Sequence, residues 1–526
     1  MGCLRRIVRR AIPLALAIAL PLGLPWSPAI REAHADVTIG SKAFPESWIL
    51  GEALAALIRD DGTEAVAHRH NLGGTEIVFQ ALRSGEIDVY PEYTGTIQEV
   101  ILRSPERLDG PGLQERLRAL GFEMSAPIGF NDSYAIAVTP AAAKRYGLSK
   151  LSDLARHPEV RLGLTHEFLG RPDGFPGLSR AYALGRARVT GIQHELAYAA
   201  LESGTIDGTD IYTTDAQIAR LGLVVLHDDR RFFPRYDAVW LYRLDLGKRK
   251  PAALRAVRRL SNVVDEARMI RANARVVLGK QPFQAAADTL LLEALGRSPE
   301  GRTATSGGML PSLARNTVRH LELVGLSLLA AILIGVPLGV LAARSRVFGG
   351  GILGLVGVLQ TVPSLALLAF LIPILGIGVV PALAALFLYS LLPIVRNTVV
   401  GLTTVPAPLP EVAESIGLSP RAQLLRVRLP LASPAILAGI KTSAVINVGS
   451  ATLAALIGAG GLGEPILSGI QLRQNGLILE GAIPAAALAL LAQGGFDLLE
   501  RVAVPRGLRL SRENDHEPST DTGRRP

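Results

Sequence analysis

Between residues 321 and 500 the chain carries long apolar runs with very few charges. A bilayer core is crossed by about 20 helical residues, so runs of this length and composition belong in a membrane. Five spans can be drawn, at 321–343, 350–370, 379–400, 434–457 and 477–499. Pro363 and Pro381, with nearby glycines, are expected to break the second and third, a defect that neighbouring helices can satisfy in a bundle. The Gly, Ala and Ser content suits close helix packing. One span suffices to anchor a protein, so five point to an all-α membrane bundle that forms a path.

The rest of the chain reads differently. Hydrophobic residues make up 49% and charged residues 19% of the 526, but this is an average over two solvents. Residues 36–320 carry charges throughout, as a soluble domain does. The net charge of +9 does not mark a nucleic-acid binder, because no basic stripe interleaved with aromatics is present. The arginines cluster in the first ten residues, beside the apolar runs and in the last twenty-five, where positive charge orients a membrane protein. The single cysteine, Cys3, permits neither an internal disulfide nor a zinc cluster. It precedes the apolar leader stretch, whereas a lipoprotein cysteine would follow it.

Residues 1–35 have the form of a secretory signal. Arg5, Arg6, Arg9 and Arg10 lead into an apolar stretch at 11–24, and Ala33-His34-Ala35 offers a cleavage site. An uncleaved anchor would export the following domain equally well. With that domain outside, five spans place the C-terminus inside. Arg344 and Arg346, then Arg421, Arg426 and Arg428, then Arg501, Arg506, Arg509 and Arg512 all become cytoplasmic, in agreement with the positive-inside rule. Residues 301–320 read as a linker and 501–526 as a polar cytoplasmic tail.

Residues 36–300 alternate strand-like and helix-like runs. Val37-Thr38-Ile39, Ile87 to Tyr90 and Ala135 to Val138 read as strands and Glu46 to Ile58 as a helix. This pattern predicts an α/β domain with mostly parallel sheet. Two stretches look alike, Ala81-Leu82-Arg83-Ser84-Gly85-Glu86-Ile87-Asp88 and Ala200-Leu201-Glu202-Ser203-Gly204-Thr205-Ile206-Asp207. Each reads as a helix end, a glycine turn and a strand, which suggests two related lobes with a cleft between them. His166-Glu167 lacks the His-Glu-x-x-His spacing of a metal site, and no catalytic role or cofactor is expected.

Seven ordered motifs run through this domain. They are Ile39-Gly40-Ser41-Lys42-Ala43-Phe44, Asn71-Leu72-Gly73-Gly74-Thr75, Tyr90-Pro91-Glu92-Tyr93-Thr94-Gly95-Thr96, Phe130-Asn131-Asp132-Ser133-Tyr134-Ala135, His166-Glu167-Phe168 with Arg171-Pro172-Asp173-Gly174, Tyr212-Thr213-Thr214-Asp215, and Phe232-Phe233-Pro234-Arg235-Tyr236-Asp237-Ala238. Together they resemble the glycine betaine/choline-type substrate-binding proteins of ABC importers, which implies a two-lobed clamshell. The resemblance implies an aromatic cage of Tyr93, Tyr134, Tyr212 and Tyr236. A trimethylammonium head cannot donate a conventional hydrogen bond, but its diffuse charge sits well on aromatic faces. By the same resemblance Lys42, Thr96 and Arg171 would take the carboxylate of a betaine. An ion pair of Arg171 with Asp173 is the plainer alternative for that arginine. Choline, carnitine and ergothioneine remain open as solutes.

In the membrane half, Glu411-Val412-Ala413-Glu414-Ser415-Ile416-Gly417 continuing to Leu429-Pro430 resembles the cytoplasmic coupling loop of ABC importer permeases. Val412 stands where that pattern has alanine. The resemblance implies short helices, with Glu411, Ala413, Gly417 and Pro430 as the marker positions, that seat in a groove of an ATP-binding subunit. The run from Ala451 to Gly463 also resembles the betaine/choline permeases. The chain lacks a Gly-x-x-x-x-Gly-Lys-Ser/Thr loop, so ATP hydrolysis by that mechanism requires a separate subunit. The family architecture implies a homodimer of the permease half in the lipid bilayer. A ligand-gated channel or receptor with the same clamshell would not need the coupling loop.

Overall fold

The computed structural model describes residues 36–104, 106–296, 309–472 and 474–503. The expected leader with Cys3, residues 301–308 of the expected linker, and Arg506, Arg509 and Arg512 lie outside them.

The soluble half holds two five-stranded sheets. The first joins β1 (Val37–Gly40), β2 (Val66–Arg69), β3 (Val89–Tyr93), β4 (Phe122–Met124) and β10 (Ala238–Arg243) in the order β2-β1-β3-β10-β4. The second joins β5 (Tyr134–Val138), β6 (Arg161–Thr165), β7 (Arg188–Ile192), β8 (Gly208–Tyr212) and β9 (Val224–Val225) in the order β7-β6-β8-β5-β9. The two orders are equivalent strand for strand. Each sheet is parallel on one side and antiparallel on the other, with β10 running against β3 and β4, and β5 against β8 and β9. The expected mostly parallel sheet is therefore corrected to an even mixture. The reason lies in the crossings. The chain leaves the first lobe after β4 to start β5 and comes back from β9 to start β10, so each lobe takes in one reversed strand. The two crossing segments meet in the bridge between Asn131 and Asp237.

The internal repeat is structural. Helices α1 (Pro45–Asp61), α2 (Thr75–Ser84) and α3 (His194–Glu202) pack on these sheets. Gly85 after α2 and Gly204 after α3 take φ of 82° and 68°, the left-handed conformation that glycine adopts without a Cβ penalty. In each copy the following aspartate ties two strands together. Asp88 accepts from the Thr38 amide and donates its own amide to the Thr38 carbonyl; Asp207 does the same with Arg161. Helix α1 begins with Pro45 and ends at Gly62 in the left-handed region. It buries Trp48, whose ring meets Phe283 edge-on at 4.7 Å. Helix α4 (Glu266–Val277) closes the first lobe beside it.

The membrane half is α-helical. Helix α5 (Met309–Arg344) begins twelve residues before the expected span. Helices α6 (Arg346–Thr361) and α7 (Ser364–Leu375) form a pair bent by 99°. They are followed by α8 (Val379–Thr403), α9 (Pro408–Ser415), α10 (Leu429–Ser450), α11 (Gly463–Gln471) and α12 (Asn475–Ala503). Among the described residues four helices are long and apolar enough to cross a membrane, or five spans if the bent pair is one. The break falls at Val362-Pro363, as the sequence predicts. Val362 is extended, the conformation imposed on a residue before proline, and its carbonyl accepts from the Tyr389 hydroxyl at 2.5 Å. The third span, expected to be broken at Pro381, is continuous. Pro381 stands in the first turn of α8, where a missing amide hydrogen costs nothing.

Both ends of the bundle are defined by contacts. At one end the Gly378 amide donates to the Ile457 carbonyl and the Arg319 guanidinium to the Ala459 carbonyl. The soluble half sits on this end: Leu72 and Ile87 share one apolar cluster with Leu367, Ile377 and Ile457. At the other end Arg344, Leu402, Arg421 and Arg428 line one cavity of about 660 Å³. The arginines thus gather away from the soluble half, as the charge argument requires.

Candidate functional site

The cleft between the lobes encloses a cavity of about 220 Å³. All seven residues expected from the motifs line it: Lys42, Tyr93, Thr96, Tyr134, Arg171, Tyr212 and Tyr236. Each is placed by the end of an element. Lys42 follows β1, Tyr93 closes β3 and Thr96 lies in the turn after it. Tyr134 opens β5, Tyr212 closes β8, and the two are paired residues in the ladder. Tyr236 lies on the second crossing segment, and Arg171 directly follows the short helix His166–Gly170.

The tyrosines form a continuous wall. Tyr134 meets Tyr212 with centroids 5.0 Å apart and Tyr236 edge-on at 5.6 Å. Tyr93 joins through Phe44, which stacks between it and Tyr212 at 6.4 and 6.1 Å. The hydroxyls point away from the ring faces and are anchored. Tyr93 donates to Glu46 Oε1 at 2.6 Å, Tyr236 to Asp173 Oδ2 at 2.6 Å, and the Tyr134 and Tyr212 hydroxyls lie 3.3 Å apart. Burial pushes all four phenols up, so they stay neutral donors. Fixed rings with neutral hydroxyls are what a cation-binding wall needs.

The two cations at the site are already neutralised. Lys42 pairs with buried Glu92. Arg171 gives one edge to Asp173, Nε to Oδ1 at 2.8 Å and a terminal nitrogen to Oδ2 at 2.5 Å. Its remaining contacts, to Glu167 at 3.3 Å and to Thr96 at 3.5 Å, are long. Burial opposes the Arg171 charge, but Asp173 and Glu167 more than offset it and hold the guanidinium firmly protonated. Arg171 also lies 5.3 Å from the Tyr134 centroid, and Lys42 lies 5.3 Å from that of Tyr93. A wall of π faces with internally paired cations favours a cation or a zwitterion over a simple anion.

Glu46, Asp132 and Gln471 carry structure at this site that the motifs did not assign. The Thr214 hydroxyl lies 2.6 Å from Glu46 Oε2 and 2.8 Å from Asp132 Oδ1. A hydroxyl has one proton to donate, so one of the two carboxyls must be protonated and donate in return. Burial raises both, Asp132 well above the ordinary aspartate value, although Thr214 opposes the rise. Asn273 on α4 completes Glu46 at 2.9 Å. Phe44 and Asp132 lay inside matched motifs but had no role assigned to them. Gln471 carried no sequence signal, because it comes from the membrane half.

At the far end of the bundle lie the four positions expected to mark a coupling loop. Glu411 is exposed on α9, Ala413 is buried at 3%, and Gly417 ends the helix at φ 78°. Pro430 lies in the first turn of α10. Leu409, Val412 and Ile416 are 43, 58 and 70% exposed, and their spacing places them along one side of the loop.

Residues 35–291 match the family described as the substrate binding domain of the ABC-type glycine betaine transport system, and residues 335–506 match the binding-protein-dependent transport system inner membrane component. The choline transport system permease protein OpuBB of Bacillus subtilis is 44% identical over 40% of this chain and 95% of its own length. The glycine betaine/carnitine/choline permease OpuCB of the same organism is 43% identical over 40% of this chain and 95% of its own length. The ergothioneine transport permease/ergothioneine binding protein EgtU of Helicobacter pylori is 33% identical over 54% of this chain and 52% of its own length.

Proposed function

Because the chain belongs to the family of binding-protein-dependent ABC importer components, carrying both the substrate-binding and the permease part, we propose that it captures a quaternary-ammonium solute, glycine betaine foremost, and conducts it through the membrane. The observation that carries this reading is the 220 Å³ cavity at which Tyr93, Tyr134, Tyr212 and Tyr236 meet. The volume suits a small solute, since pockets for drug-sized ligands run from about 300 Å³ upward.

In this reading the N-methyl head lies against the tyrosine wall. The carboxylate lies toward Thr96, Lys42 and the edge of Arg171 that Asp173 does not occupy. Asp173 and Glu92 keep the two cations oriented and limit their charge, so the site favours a zwitterion. Choline, carnitine or ergothioneine would use the same wall with a different polar end. Lobe closure about the two crossing segments traps the solute, and the closed domain presents it to the end of the bundle on which it already rests.

Transport then needs energy from outside the chain. The exposed side of the loop around Val412 and Ile416, with Glu411 and the arginines beside it, is the surface that would seat an ATP-binding subunit. Two copies of the permease part would line one pathway in the inner membrane of the cell, with the solute domain on the outer side. Residues 1–35 act as the export signal, residues 36–300 as the solute domain, 321–500 as the permease, with 301–320 joining them and 501–526 trailing in the cytoplasm.

Uptake of labelled glycine betaine in a bacterium stripped of its own betaine importers tests this. Uptake should require both this chain and an ATP-binding subunit from the same genome, and should be inhibited by excess choline. Uptake by the chain alone, driven by no nucleotide, would favour a channel.

A further inference from the structure

Gln471 ends α11, in the connection between the last two spans, and so belongs to the membrane half. It nevertheless lines the 220 Å³ solute cavity and a smaller adjoining cavity of about 70 Å³. Phe44, Asp132, His194 and Tyr212 line both cavities with it. The Gln471 Oε1 atom is buried and has no hydrogen-bond partner among the described residues. Its place is fixed from both sides. The next residue, Leu472, is buried in the apolar core of the soluble half. Seven residues earlier, Glu464 on the same helix pairs with His70 of the soluble half at 3.0 Å.

A buried carbonyl oxygen is normally satisfied by a donor. The side chain that carries this one borders both cavities. The methyl groups on a quaternary nitrogen are polarised and present weak C–H donors to such an oxygen. We propose that Gln471 is a solute-contacting residue supplied by the permease half, its amide turning Oε1 toward the N-methyl shell of the solute once the soluble half is docked. This rests on the solute class proposed above. The docked site then has one more ligand than the undocked site, so the permease takes part in choosing what it transports.

The test uses the full chain in lipid nanodiscs, titrated with glycine betaine and with choline. Gln471→Met keeps the length and removes the carbonyl. It should weaken both solutes at least threefold. Gln471→Glu adds a negative charge and should shift the preference toward choline, the net cation, at least threefold. Unchanged affinities and an unchanged preference in both variants would overturn the proposal. A second readout does not depend on the solute. In a Cys3→Ser background, Gln471→Cys and Gln193→Cys, which lines the same cavity, should be joined by a short bis-maleimide, more slowly with solute present. Failure to join would show that Gln471 does not sit in the cleft and would also overturn the proposal. A chain that joins yet binds neither solute would instead refute the solute class, and with it the N-methyl contact, while leaving the residue in the cavity.

Discussion

The two ends of the membrane bundle differ in how their surfaces are completed. At the outer end the connections between helices are covered by the chain's own soluble half. Leu72 and Ile87 continue the apolar cluster of the bundle, and His70 meets Glu464. At the inner end Val412 and Ile416 are more than half exposed, and Arg344, Arg421 and Arg428 converge around an open cavity. One interface has been made intramolecular by fusion. The other still needs a partner from elsewhere. A tethered docking surface works at high effective concentration, so it tolerates weaker contacts than the bare end does.

That contrast ranks the expected effects of substitution. Val412→Asp and Ile416→Asp alter exposed side chains at the bare end. They should remove the ATP-binding subunit on purification and cut uptake about tenfold or more, since interface hot spots are worth about 2 kcal/mol or more. Solute affinity should not move. If the subunit is retained, the bare end is not its seat and the comparison fails.

Next in size is the cage. Tyr134→Ala or Tyr212→Ala should weaken quaternary-ammonium binding about 30-fold, from about 2 kcal/mol for a desolvated cation–π contact. Subunit association should be unaffected. Calorimetry on the full chain reads the first and co-purification the second. A cage variant that sheds the ATP-binding subunit would mean that the ends are not independent.

A smaller effect is expected at the covered end. Burial opposes the His70 charge, but Glu464 outweighs it and raises His70 above its usual value. Burial likewise opposes the Glu464 charge, and His70 outweighs it and lowers Glu464. A raised histidine contributes to docking below its unpaired value and stops contributing as pH rises through the docked value. A lowered glutamate contributes above its unpaired value and stops as pH falls through the docked one. Docking should therefore be firmest between about pH 4.5 and 6.5, the two ordinary values, and loosen on either side. Both side chains are about one-third exposed, so the change is modest. Cross-linking of Gln471→Cys to the cleft at pH 6 and pH 8 should fall a few-fold between them, and Glu464→Gln should flatten the difference. A profile that Glu464→Gln leaves unchanged would remove this pair from the docking surface.

The smallest expected effect concerns the paired carboxyls. Asp132 and Glu46 are both raised by burial. The folded domain therefore binds more protons than the unfolded chain above the ordinary carboxyl range. Their contribution to stability is complete in acid and is lost as pH rises through the folded values. Asp132→Asn should make the urea midpoint of the soluble half less dependent on pH between 5 and 8. A steeper dependence would contradict the shared proton at Thr214.

Much of this was legible in the residues. The apolar runs gave the spans because a bilayer demands about 20 residues whatever the fold. The Gly85 and Gly204 repeats revealed the two lobes because the same left-handed turn must be made twice. The four tyrosines expected to form a cage came from the motifs, and all four line one cavity. What sequence could not supply depended on distance in the chain. The reversed strands β5 and β10 arise from where the crossings fall. Phe44 completes the wall only because β1 ends opposite β8. Gln471 lies more than 200 residues beyond the last tyrosine of the cage. The Glu92 partner of Lys42 also needed the fold, whereas the Arg171–Asp173 pair was already an alternative in the sequence.

The most direct test of the central claim is a calorimetric titration of the full chain in nanodiscs with glycine betaine, choline, carnitine and ergothioneine, repeated with Tyr212→Ala. The account predicts saturable binding of at least one quaternary ammonium, glycine betaine foremost, weakened about 30-fold in the variant. No binding of any of the four, or binding that Tyr212→Ala leaves intact, would contradict it.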